Sequence, residues 1–229
     1  MDSTIDVLVK YFEKELPLLE QNYYWKIPKI EGFSGTGKTS YKANIELKKF
    51  LNSSWNESNN NQEKNILSKI IVADWGGVKR NYPETLESYV KEIQKEIPNT
   101  PIKGVASYSK IFSITNLEQY AIYDARVAVS LNAIQLNKEV KNGVAFNYIP
   151  GRNNITGNAV EKIGFVHQEK YKVKNLIANG WSRIKRDDTY EVYLDTLRKC
   201  LKAFPAYKLY DLEMVLFANA EKEAKLCLV

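Results

Sequence analysis

A single histidine, His167, serves the whole chain of 229 residues. Serine–histidine and cysteine–histidine nucleophile systems would all rest on that one side chain, as would histidine-rich metal sites. It sits in the polar stretch GFVHQEKYKVKN and reads as a surface residue. Cysteine is scarce too. Cys200 and Cys227 form no CxxC pair, so neither a structural zinc site nor a disulfide scaffold is expected. No apolar run approaches the roughly 20 residues that span a bilayer. The opening MDSTIDVLVKYFEKELPLL has early acidic residues in place of an apolar leader core. A reducing, cytoplasmic setting without membrane contact is the expectation. No cofactor and no metal is called for, and any chemistry rests on Lys, Asp, Glu, Tyr or Cys.

What is present is a globular composition, 44% hydrophobic and 26% charged, with a net charge of +6. The hydrophobic share allows a sizeable core. The basic balance favours a polyanionic partner such as nucleic acid, or an anionic membrane surface. Helical spacing dominates. Ile5, Leu8, Val9, Phe12, Leu16 and Leu19 paint one face over residues 4–21, with Pro17 kinking or ending it. Further helices are predicted over 40–52, 83–97, from about Ala125, and as a pair at about 188–203 and 207–225. SSWNESNNNQEK reads as an Asn-rich linker and KNGVAFNYIPGRNNITGN as loop. KNILSKIIVADW, residues 64–75, fits either a helix or a strand through IIVAD. The fold class is therefore mainly α, with few or no strands. The chain reads as one helical domain, 1–229, whose only seam would divide lobes of about 1–60 and 61–229 across a cleft.

Gly32 to Thr39, GFSGTGKT, matches the phosphate-loop pattern G-x-x-x-x-G-K-[ST] completely. In a true phosphate loop, backbone N–H groups and the lysine cradle phosphates, and Asp74 at the end of IIVAD would hold Mg²⁺. The preceding WKIPKIE carries a proline and three charges where a buried strand is required. The stretch reads instead as a solvated loop capping the next helix, with nucleotide binding as the competing function.

The most informative segment is Gly104-Val-Ala-Ser-Tyr-Ser-Lys110, followed by Tyr120-Ala-Ile-Tyr-Asp124-Ala-Arg126-Val-Ala128. A glycine turn leads a lysine into a short apolar helix, and an aspartate then precedes the next helix. This pattern resembles the helix-hairpin-helix DNA glycosylase superfamily, and within it the 8-oxoguanine DNA glycosylase-like proteins. Leu212 to Ala218, LEMVLFA, is similar to that family's C-terminal helix. The hairpin consensus itself is reduced to Gly104-Val105, with Ala106 where a second glycine is usual. The resemblance implies a helical helix-hairpin-helix architecture and a monomeric, nucleoid-associated enzyme. Its implied substrate is double-stranded DNA carrying a modified base. The implied reaction is base excision, with Schiff-base lyase activity at the resulting abasic site. A non-catalytic DNA-binding module of the same fold is the alternative.

The residue types suit that chemistry. Breaking an N-glycosidic bond develops positive charge at C1′, which a carboxylate in a dry pocket stabilises. An amine can attack the same carbon and leave a Schiff base. Free lysine, with a pKa of about 10.4, is protonated at neutral pH, and burial lowers that value. Lys110 is thus the expected nucleophile and Asp124 the expected carboxylate. A base-flipping enzyme also needs aromatic walls and phosphate contacts. Ser107, Tyr108, Ser109, Tyr123, Arg126, Tyr148, Arg152 and Asn153 are the candidates for contact with substrate DNA. The helix start near 108 offers N–H groups for a phosphate.

Overall fold

The computed structural model describes residues 3–228. The elements follow one another as α1 (Thr4–Glu15), α2 (Leu19–Asn22), α3 (Ser40–Glu57), α4 (Asn61–Lys69), α5 (Pro83–Ile93), α6 (Val105–Thr115) and α7 (Ala125–Asn137). Then come β1 (Val144–Ala145), β2 (Arg152–Asn153), β3 (Gly157–Asn158), α8 (Val173–Ala178), β4 (Ser182–Arg183), α9 (Thr189–Leu201) and α10 (Leu209–Leu228). Helix makes up 58% of the structure and strand 4%, so the protein is mainly α. The strands form two minimal sheets, β1 parallel to β4 and β2 antiparallel to β3. Among the described residues no helix is long and apolar enough to cross a membrane.

Local chemistry accounts for the helix limits. Ser3 and Asp6 close a reciprocal cap at the start of α1, and Pro17 sits in a single 3₁₀ turn that separates α1 from α2. Two sequence-based expectations change, and one open choice resolves to helix. Helix α3 runs to Glu57, through what reads as linker, because Leu51 and Trp55 continue its buried face four residues apart. Residues 64–75 are helical throughout. Helix α4 passes into a π-helical turn, Ile70–Trp75, closed by Gly76 N–H donating to Ile71 O at 2.9 Å. The strand that would carry Asp74 as a metal ligand is thus absent. The loop predicted over 141–158 contains β1 to β3.

The centre of the molecule is α7 against α10. Every residue of α7 from Val127 to Gln135 is buried. Its polar members are satisfied: Ser130 Oγ donates to Leu216 O, and the Asn132 amide brackets both backbone groups of Phe146 at 2.8 and 3.0 Å. These bonds lay the 141–150 segment along α7. The principal core draws on both sides of the Asn-rich segment, from Val7 and Leu47 to Ile111 and Phe217.

Helix α6 is launched by Gly104 in the left-handed region, φ 81°. A Cβ there would sit 2.1 Å from the Tyr89 hydroxyl oxygen. Left-handed backbone costs a non-glycine residue about 1–2 kcal/mol, and the clash adds to it. Gly104→Ala should therefore destabilise the fold by about 2 kcal/mol or more, read as a lowered urea midpoint with an unchanged slope.

Candidate functional site

Lys110 lies on the face of α6 that turns toward the π-helical turn. It is buried, 6% exposed. Its stem passes directly over Gly76, where a Cβ would lie 2.4 Å from Lys110 Cδ and 2.8 Å from Cε. Its Nζ donates to Ala106 O at 2.5 Å. Burial pushes this amine below the ordinary lysine range. The nearby carboxylates of Asp124 and Glu213 pull the other way, and the Lys48 ammonium adds to the lowering.

Asp124 caps α7. Its Oδ1 accepts from Arg126 N–H at 2.9 Å and Val127 N–H at 3.0 Å. Both cap bonds fall on the same oxygen, so capping uses only half of the carboxylate. Arg126 leaves the first turn of α7, pairs with Glu221 at 3.1 Å and stacks 4.9 Å from the Phe217 ring centre.

These groups meet in two connected hollows. An inner, half-open cavity of about 40 Å³ is lined by Lys110, Asp124, Glu213 and the rings of Tyr23, Trp25, Trp75 and Phe217. An outer groove of about 450 Å³ opens beyond it, again bounded by Lys110 and Asp124 and now also by Arg126, Arg152, Asn153 and Thr156. Trp25 and Phe217 meet edge to face at 5.5 Å and line both spaces. The Trp25 indole is fixed by donating to Trp75 O at 2.9 Å, and the Trp75 indole by donating to Asn44 Oδ1 at 3.0 Å.

Five of the residues singled out by sequence, Lys110, Asp124, Arg126, Arg152 and Asn153, line this groove. The Asn153 side chain is already engaged: its Oδ1 accepts from Ile155 and Thr156 N–H, and its amide donates to Glu221. The other five candidates lie elsewhere. Tyr108 points into the core, donates to Pro101 O at 2.7 Å and packs on Tyr89, Phe112 and Tyr190. Ser107 bonds Asn81, and the buried Ser109 hydroxyl accepts from Tyr123 N–H. Tyr123 is fully buried and donates to Asn147 O, while Tyr148 donates to Tyr171 O with its ring against Phe165. Two residues along a helix is a turn of about 200°, so Lys110 and Tyr108 cannot share a face.

Sequence reasoning missed Glu213, Lys48, Trp25 and Gly76. Glu213 and Lys48 form a buried pair at 3.1 Å, with both side chains nearly inaccessible. Burial raises the Glu213 carboxyl above its usual range, against the lowering effect of Lys48. The signal was visible in LEMVLFA, where one glutamate interrupts an otherwise apolar run.

Two other places invite function and are less suited to it. The Gly32–Thr39 loop lies at the start of α3 with no strand before it. Its Thr36 and Gly37 N–H groups donate to Glu46 Oε2 at 2.8 and 3.0 Å, and Thr39 caps α3. The donors a phosphate would need are taken by the protein's own carboxylate. Mg²⁺-ATP or Mg²⁺-GTP should leave the melting temperature unchanged, in the parent and in Lys38→Ala alike. A larger depression of about 740 Å³ lies where α1 and α7 end. Two of its lysines, Lys14 in the last turn of α1 and Lys138 just after α7, sit at helix C-termini, where cations are favoured anyway, and Lys222 pairs with Glu15 at 2.7 Å. Chemistry therefore assigns the smaller groove. The half-buried His167 does not line it. Among the described residues no three His, Cys, Asp or Glu side chains gather to hold a metal ion. Comparison of the chain with family models, curated proteins and solved structures finds no match.

Proposed function

We propose that the protein is a DNA N-glycosylase of helix-hairpin-helix type, which excises a modified base and forms a Schiff base at the abasic sugar. The observation that carries this reading is the convergence of a buried amine and a carboxylate on one groove with two arginines at its rim. Lys110 supplies the nucleophile and Asp124 the charge that stabilises the developing cation at C1′. Trp25 and Phe217 supply the aromatic wall against which an everted base rests. Arg126 and Arg152 contact the phosphates on either side. The α5–turn–α6 unit with its left-handed Gly104 takes the place of the hairpin that grips the backbone. In this reading the partner is double-stranded DNA, the protein acts as a monomer, and its location is the nucleoid.

Base release decides the matter. Duplexes carrying 8-oxoguanine, other oxidised purines, uracil or alkylated bases are incubated with the protein, and the free base is detected by mass spectrometry. Release of one class supports the enzyme. Salt-sensitive binding without release from any duplex leaves the non-catalytic DNA-binding module. Arg152→Ala should weaken binding evenly across sequences and reduce the slope of log K against log salt by about 1.

A further inference from the structure

The Lys48–Glu213 pair takes no part in the chemistry above, yet one of its members faces the reacting amine. Helix α3 brings Lys48 and helix α10 brings Glu213, 165 residues apart in sequence, into contact at 3.1 Å. The Lys48 ammonium also lies 5.7 Å from the ring centres of both Trp75 and Tyr210, so a carboxylate and two aromatic faces hold it. Glu213 lines the inner cavity together with Lys110 and Asp124.

We propose that Lys48 is a positioning residue for Lys110: it keeps Glu213 in an ion pair and so withholds that carboxylate from the Lys110 amine, which is left free to act as a neutral nucleophile. The inference rests on the reading of Lys110 as nucleophile.

The charges around Lys110 make the case. Asp124 faces it from the cap of α7, Glu213 from α10, and Lys48 stands behind Glu213 on α3. The π-helical turn contributes Trp75 and Gly76, which are uncharged, and Tyr23 stays neutral because burial raises its hydroxyl. Arg126 and Arg152 lie on the groove side. The Lys110 amine bonds to a carbonyl, and no carboxylate among the described residues comes within ion-pair distance of it. Without Lys48, Glu213 would be an unpaired carboxylate in an apolar wall, and among the described residues Lys110 is the only cation lining that cavity. The two would pair, holding Lys110 in its protonated form. Without Glu213, Lys48 would stand as an unopposed positive charge near Lys110 and favour the neutral amine still more.

The signs of the two single variants are therefore opposite. They are read from the Lys110 ¹³Cε and ¹⁵Nζ resonances of the uniformly labelled full chain, assigned by their loss in Lys110→Ala. In Lys48→Met the Lys110 titration moves to higher pH, in Glu213→Gln it moves to lower pH, and in the double variant it returns close to the parent. A purely structural pair would destabilise the fold without opposed movements. Movement of both single variants in one direction, or of neither, overturns the proposal. If Lys48→Met does not fold, Glu213→Gln and the charge-free double variant suffice, and a Glu213→Gln titration that does not move acidic overturns it. The titrations need no DNA. Opposed movements without borohydride trapping by any variant uphold the role of Lys48 and refute the Schiff-base chemistry. Trapping with unmoved titrations does the reverse.

Discussion

Replacing Lys110 by alanine should abolish borohydride-trapped adduct on abasic DNA and slow base release roughly 10³-fold or more, the scale seen when a nucleophile is removed. Asp124→Asn should slow base release by roughly 10²–10³-fold, the loss typical of one stabilising group in a dry site. The asparagine variant is informative because it separates two roles. Its side-chain oxygen still accepts from the Arg126 and Val127 N–H groups, and asparagine caps helices as well as aspartate does. The fold and the melting temperature should hold while the charge at C1′ is lost. Single-turnover kinetics with saturating protein isolates this step from product release. The pH dependence has a defined sign. Burial holds the Lys110 amine below the ordinary lysine range, so trapping persists at pH values where a solvated lysine is fully protonated. The rate then falls as the pH drops through the lowered value, because the amine becomes charged. Retention of full trapping in Lys110→Ala would assign the nucleophile elsewhere.

Gly76→Ala should cut the trapping rate roughly 10²-fold, the cost of misplacing a reacting group by about 1 Å, with little change in affinity for abasic DNA. The added methyl would fall 2.4 Å from Lys110 Cδ and 2.8 Å from Ile71 O. The second contact is backbone and belongs to the π-helical turn, so the lysine stem must yield. Such single turns recur at functional sites because they re-aim the chain locally. Here the turn places Trp75 inward and leaves Gly76 under the lysine. Gel-shift affinity and trapping rate measured on the same preparation separate aim from binding. Equal loss of both would show a general disruption.

The helices were largely legible because their apolar residues recur at the helical period, and the Asp124 cap was legible because aspartate is a favoured N-cap. Lys110 was legible through the family resemblance alone, because a lysine opening a helix after Ser-Tyr-Ser is ordinarily exposed. The partners that give it a chemical setting were not legible. Trp25, Lys48, Gly76 and Glu213 come from four separate segments, and only tertiary packing unites them. Tyr108 and Tyr123 lie close in sequence to Lys110 and Asp124, but helix rotation and the cap geometry turn both into the core. Helix α3 outran its predicted end because Trp55 contributes a buried contact that a polar composition conceals.

The most direct test is a reduced complex of the unmodified protein with abasic DNA, digested with trypsin and mapped by mass spectrometry. A sugar-phosphate adduct on Lys110 is the expected result. An adduct on another lysine, or none at all under conditions where the DNA is bound, would contradict the assignment of this groove as a glycosylase site.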